Sequence, residues 1–419
     1  MLKVSLILMG TSFVRKCSPV VGTLGGIWAS VGFYIFFLGM TSDFNFPANP
    51  LVIILLLESL ITFTKLSWCD RGLVTIYVFR GGFFLFISLL MLLSHHMSDL
   101  FMAIIFGIFC FISGLFLIIS SHVVRFPHWK RSMLSGILQI AFSIFLFLPY
   151  PERHDGTVPQ FIGMMMFIGG GRWLITALNL RKVDDIYSFF SFFSSIDCFM
   201  NKKTSEDLTK YNVFSENKLT VHVWTPSGSS KSEPIRNPLI NRYIAAIDKE
   251  GNVSTGHAAL EVNTGLYISL YPKYDIDRTP SEFLNIVKAI KNNDVEGIFK
   301  DSYVSESAAW CGSDKKVHFE KINRYCLDVF WEDYKKNTSY NLTWRNCSSS
   351  VAYALEAALN GICYGKFYWY NFILLFFIPE LWMAAQLRSR ALNMAWTPGL
   401  TLDYARCLHA ISRKISNRK

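Results

Sequence analysis

Charge is scarce in this chain: 17% of its 419 residues are Asp, Glu, Lys or Arg, against 51% hydrophobic and 16% aromatic. That balance excludes an ordinary soluble domain of this size. The scarcity is local. Residues 1–180 hold 11 Lys/Arg and 6 Asp/Glu, whereas 181–419 hold 30 and 25, so the solvent is expected to change near residue 180. The nine cysteines (17, 69, 110, 198, 311, 326, 347, 363 and 407) form no Cys-x-x-Cys pair, no Cys/His cluster of zinc spacing and no even framework. No metal site, cofactor or disulfide scaffold is indicated, and a reducing compartment fits best. The N-terminus lacks Ala-x-Ala-like cleavage chemistry, and Arg15 and Lys16 lead straight into a long apolar stretch, so an uncleaved first span is expected. The formal charge is +10, yet in the first part the cations flank apolar runs, which is a topology signal and sets nucleic acid aside.

What is present is a series of six apolar stretches, roughly Val20 to Met40, Leu51 to Leu66, Gly72 to Leu93, Leu100 to Ser120, Ser132 to Tyr150 and Val158 to Leu180. Each is long enough to cross about 30 Å of hydrocarbon at about 1.5 Å per residue. Ten cations in alternate loops (Lys3, Arg15, Lys16, Lys65, Arg71, Arg125, Lys130, Arg131, Arg181, Lys182) face a single Arg153 in the others, which places both termini on the cytoplasmic side. Glycines such as Gly25, Gly136 and Gly170 allow close helix approach in lipid. Glu58, Arg80 and Arg172 lie at a similar depth within the spans, where a structural Glu–Arg pair with a snorkelling arginine is expected ahead of a proton or ion site. His95 and His96 fall in an outer loop and read as solvated rather than acid-sensing. Six short-looped spans with recurrent glycines resemble the HdeD family of acid-resistance membrane proteins, over about residues 20–180.

Residues 181–218, with Phe189, Phe190, Phe192, Phe193 and Phe199 among polar neighbours, read as a juxtamembrane amphipathic linker at the bilayer interface. Beyond it, Val221 to Trp224, Tyr243 to Ile247, Gly256 to Val262 and Leu266 to Tyr271 read as strands linked by tight turns. Residues 281–299 follow a helical period from a Ser281 cap, Asp328 to Tyr334 is a further helix, and Cys347 to Asn360 is the clearest helix of the region. The class of 219–419 is α+β.

Two short segments carry chemistry. Cys347 begins a helix capped by Asn346 and backed by Val351, Ala352, Leu355, Ala358 and Leu359. A helix N-terminus favours the thiolate through its dipole and free N–H groups. His257 opens a strand between small Gly256 and Ala258, which leaves an imidazole room to face a thiol. Either residue alone would read as structural; together they point to a nucleophile and its base. His318 and Cys311 read as bystanders.

Gly256-His-Ala-Ala-Leu-Glu-Val262, Tyr267-Ile-Ser-Leu-Tyr-Pro272 and the run from Tyr340 through Asn346-Cys347-Ser348-Ser349 to Leu355 resemble the circularly permuted papain-like superfamily, which includes lecithin:retinol acyltransferase relatives. The similarity covers about residues 240–410 and is nearest to the Rho-inactivation domain and IcsB/BopA group of bacterial effectors. It implies a Cys-His-acid site that cleaves peptides or transfers acyl groups. By that resemblance Asp301 is the first choice for the third residue and Glu306 the second. In the wider permuted group the orienting side chain lies on the strand after the histidine, here Ser269.

The sequence therefore reads as a multi-domain protein: an all-α six-helix transmembrane bundle (1–180), the linker (181–218) and an α+β permuted papain-like domain (219–419). An aromatic segment at 367–387 is read as an interfacial hairpin rather than a seventh span. The expected activity is thiol acyl chemistry at Cys347 with His257 as base, with an acyl thioester as one class of co-substrate. The expected partners are the bilayer, of a bacterial or a host cell, and a protein or lipid substrate at its surface. The alternative is an HdeD-like stress-response or transport protein whose soluble domain is a binding module.

Overall fold

The computed structural model describes residues 1–41, 48–64, 74–93, 98–148, 157–183, 186–193, 217–229, 233–235, 237–247, 253–274 and 285–416, with the single positions 66, 214, 249 and 276. His95, His96, Arg153, Ser281 and Phe199 lie outside these residues. In chain order the helices are α1 (Leu2–Met9), α2 (Thr11–Leu38), α3 (Ala48–Thr64), α4 (Val74–Leu93), α5 (Ser98–Val124), α6 (Trp129–Phe147), α7 (Thr157–Leu180), α8 (Ile186–Phe193), α9 (Pro238–Tyr243), α10 (Tyr303–Ala309), α11 (Arg324–Tyr334), α12 (Cys347–Ala358), α13 (Tyr368–Phe376), α14 (Pro379–Leu392) and α15 (Pro398–Ser416). The strands are β1 (Leu219–Trp224), β2 (Ala246–Ile247), β3 (Val253–Ser254), β4 (His257–Val262), β5 (Leu266–Ile268), β6 (Leu270–Pro272), β7 (Val295–Phe299), β8 (Lys315–Phe319) and β9 (Ser339–Tyr340).

The chain forms two compact units: one of Ser18–Ile119 and Lys130–Asn179, the other of Met1–Cys17, Ser120–Trp129 and Leu180–Lys419. The first is helical. Among the described residues, α2, α5, α6 and α7 are each long and apolar enough to cross a membrane, while α3 and α4 contribute shorter apolar helices. The chain is a multi-pass membrane protein. Its helices meet through small residues. Gly25 and Gly32 of α2 face Gly170 and Gly163 of α7 so closely that a Cβ on Gly163 or Gly170 would overlap the opposite backbone. Ser18 donates to the Ala177 carbonyl (2.8 Å) and Gln160 to that of Gly39 (3.0 Å). Between α3 and α4, Arg80 pairs with Glu58 and Ser59 donates to the Gly81 carbonyl at 2.8 Å. Arg172 of the expected trio is exposed on α7.

The second unit is α+β. One antiparallel sheet runs β5-β4-β1-β8 and a second runs β6-β7-β9. In the first, β1 lies between β4 and β8 with Trp224 opposite His257 and Val221 opposite Leu260. Central β1 (Leu-Thr-Val-His-Val-Trp) is buried at five of its six positions, His222 among them. Helices α12 and α15 pack on β4 and on each other. A buried polar cluster ties these helices together: Arg388 of α14 forks onto Glu356 of α12 (2.7 and 3.1 Å), and Tyr404 of α15 donates to the same carboxylate (2.8 Å).

Three expectations change here. The first 17 residues join this unit and not the helical one: α1 is buried along nearly its whole length, Cys363 N–H donates to Leu8 O (2.9 Å), and Gly361 N–H donates to Ile7 O (3.3 Å). An octamer that is apolar but for Lys3 and Ser5 can be buried by protein as well as by lipid, so its composition could not decide. The linker's helix α8 is likewise inside the unit, with Phe189, Phe190 and Phe193 buried, Phe190 against Phe330, and Arg388 capping the Phe193 carbonyl. Residues 295–299, expected to continue a helix, form β7 and pair with β6 and β9. Their Val-x-Gly-Ile-Phe composition suits a strand, and Gly297 sits where a Cβ would press on the Thr338 carbonyl oxygen. The segment at 367–387 is two helices bent by 71°. The second carries Glu380 and Arg388, both buried and paired with Lys414 and Glu356, which ties it into the α+β unit.

Candidate active site

Gly256 sets the position of His257. Its φ of +68° is one a side chain rarely adopts, and a Cβ there would run into the Trp224 carbonyl across the ladder. The turn delivers His257 to the first position of β4, 3% exposed, between aromatic faces. Tyr271 stacks on it with centroids 4.0 Å apart and planes at 25°, and Trp224 lies at 5.4 Å.

The imidazole Nε2 meets Ser269 Oγ at 2.8 Å and Glu306 Oε1 at 3.2 Å. Ser269 in turn donates to Glu306 Oε2 at 2.8 Å, so its oxygen is left to accept a proton from Nε2. This network assigns the neutral ring the Nε2–H tautomer, with the basic lone pair on Nδ1. Glu306 is 4% exposed and also receives Tyr267 Oη (2.6 Å) and Tyr271 Oη (2.8 Å). Burial, then the Glu306 carboxylate, pushes both tyrosine hydroxyls far above their ordinary value, so they remain donors at any physiological pH.

Cys347 is the first residue of α12. Asn346 caps the helix through a reciprocal pair with Ser349: its Oδ1 accepts from Ser349 N (2.8 Å), while Ser349 Oγ accepts from Asn346 N (2.9 Å). The cap is itself held, because Asn346 Nδ2 donates to the carbonyls of Leu342 (2.7 Å) and Trp396 (2.9 Å). Arg345, fully buried, donates to the Ser339 (3.0 Å) and Tyr334 (2.9 Å) carbonyls and stacks on Tyr334 at 3.8 Å. The result is a thiol on a rigid helix start, in the electrostatic setting that favours a thiolate.

His257, Cys347, Glu306 and Asp301 line one cavity of about 670 Å³. Its other walls are mostly apolar, among them Val124, Leu270, Val287, Leu342, Met394 and Trp396. Val124 lies at the end of α5, and its carbonyl accepts from Ala289 N at 2.6 Å. Of the two acids expected, Glu306 is the one paired with His257. Asp301 is exposed at the cavity, and among the described residues it forms no ion pair with the histidine. Ser269 reaches the imidazole as the second-strand residue was expected to. Tyr267, Tyr271 and Trp224 were missed. Tyr267 and Tyr271 flank Ser269 two residues away on either side, so the period of a strand was the available signal.

The bystanders sit apart from this pair. His318 meets Thr220 Oγ1 at 3.0 Å on the edge strand β8. The Cys311 carbonyl accepts from Trp224 Nε1 (2.7 Å), and burial pushes its thiol up, as it does more strongly for Cys326 and Cys407. Comparison with protein-family models, with curated proteins and with solved structures finds no match.

Proposed function

We propose that the chain is a membrane-anchored thiol enzyme that forms an acyl-thioester at Cys347. In the first step His257 Nδ1 takes the thiol proton, the sulfur adds to a carbonyl carbon, and the leaving group departs with that proton. In the second step a water or an amine gives its proton to Nδ1, attacks the thioester and expels the thiolate. Glu306 and Ser269 hold the ring and stabilise the imidazolium by accepting from Nε2, and the Cys347 backbone N–H at the helix start faces the developing oxyanion. The observation that carries this reading is the buried His257–Ser269–Glu306 relay sharing a cavity with a cysteine at a helix N-terminus. The apolar walls favour an acyl group over a peptide as the part held in the cavity.

The finer architecture belongs to the same proposal: six spans of HdeD-like pattern, both termini on the cytoplasmic side, and a permuted papain-like catalytic unit. The test is intact-mass analysis of the full chain in detergent with a palmitoyl thioester and with a peptide library, wild type against Cys347→Ser. A palmitoyl adduct confined to the wild type supports acyl chemistry, and Cys347-dependent peptide cleavage supports proteolysis instead. Folded protein silent in both assays transfers the unit to the binding-module alternative.

A further inference from the structure

Helix α13 has two unlike faces. On one, Phe372 and Leu375 are buried, and Tyr368, Trp369 and Phe372 surround Phe13 at 5.9, 5.1 and 5.0 Å. On the other, Phe367, Tyr370, Ile373 and Phe377 stand 69, 61, 58 and 71% exposed. Their spacing of three, three and four residues makes one continuous stripe along the helix. Large apolar side chains aligned in this way mark a surface built to be covered.

Three observations say by what. Phe13 belongs to α2, one of the helices long and apolar enough to cross a membrane, whose apolar run begins at Val20, seven residues further on. The flanks are cationic: Arg15, Lys16 and Lys366 are exposed, Lys16 Nζ lies 5.8 Å from the Tyr368 ring, and residues 361–379 contain no acid. The chain also returns at once to the folded unit, because it bends by 71° into α14 with its buried ion pairs. Such a helix is too short to span, is apolar on its outer face and carries basic ends. This is the form of an in-plane interfacial helix.

We propose that the outer face of α13 lies flat in the headgroup–acyl boundary of the bilayer that α2 enters, with Lys16 and Lys366 contacting anionic headgroups. The proposal holds whether or not Cys347 is a nucleophile.

The experiment places p-benzoylphenylalanine at Ile373 in the full chain, or at exposed Glu332 on α11 as control. The protein is reconstituted in nanodiscs of mixed phosphatidylcholine and phosphatidylserine, irradiated and analysed by mass spectrometry. Lipid adducts at position 373, at least tenfold above position 332, are expected. Equal labelling at the two positions, or a cross-link from 373 to a second copy of the chain, overturns the proposal. Lys16→Gln with Lys366→Gln is expected to keep the adducts but abolish their enrichment in phosphatidylserine, and an unchanged lipid ratio would overturn the anionic contact.

Discussion

The two units solve burial in opposite ways. In the helical unit, large apolar side chains such as Phe79, Phe109 and Ile112 face outward (75, 64 and 61% exposed), while helix contacts are made by glycine against backbone. Lipid gives no hydrophobic drive for association, so close approach and a few hydrogen bonds must hold the helices. In the α+β unit the interior contains charge: Arg388 with Glu356 and Tyr404, Glu306 with His257 and two tyrosines, and Asp403 with Arg242. Water-driven apolar burial pays for these sites. One unit is specified by space and the other by paired polar groups, so each should fail in its own way.

The largest effect is expected at Arg388. Arg388→Met leaves the Glu356 carboxylate buried without its cation and should cost about 3–5 kcal/mol, read as loss of the cooperative unfolding of the α+β unit. Restoration by a second change, Glu356→Gln, would show that charge and not packing is decisive. Next comes the glycine seam. Gly170→Val should cost about 1–3 kcal/mol by forcing α2 and α7 apart, read as a lower midpoint in detergent. Gly171→Ala, where nothing lies within 4 Å, should leave the midpoint unchanged.

The polar relay can be tested against its neighbour. Glu306→Gln should reduce Cys347-dependent thioester formation by about 10²-fold or more, while Asp301→Asn should change it less than about twofold; equal effects would dissolve the assignment of Glu306. The smallest effect concerns His222, 2% exposed, held by Ser313 Oγ (3.1 Å) and Glu261 Oε2 (3.0 Å) and stacked on Tyr303 at 3.9 Å. Burial lowers its pKa, and Lys316 and His318 act in the same direction against the pull of Glu261. The unfolded chain therefore binds the proton more readily, so stability is complete above the ordinary histidine value of about 6.5 and falls as pH drops below it. The unfolding midpoint between pH 7 and pH 5 should drop less in His222→Gln than in wild type.

The apolar runs made the positions of the long helices legible, because few sequences other than spans stay charge-free for so long. The start of α12 was legible from Asn346 and the small residues after it, and β4 from its alternation. Three features were hidden for three physical reasons. Nothing in Leu2–Met9 distinguishes burial in protein from burial in lipid. Val295–Phe299 reads as either period over so few residues, and its pairing with β6 and β9 is a tertiary fact. Choosing between Asp301 and Glu306 required the Ser302 cap, which starts α10 and turns Glu306 inward while Asp301 stays outside the helix.

The burial of α1 has a consequence for the order of events during synthesis. Thr11 N–H meets the Asn360 side chain across 349 positions of sequence, so this segment waits for a partner that is synthesised 349 residues later. At about 5–20 residues per second the delay is roughly 20–70 s. During that interval α1 must be sheltered elsewhere. Docking of α1 is thereby timed to follow translation of the membrane-spanning region, whose helices all lie between the two joining pieces of chain.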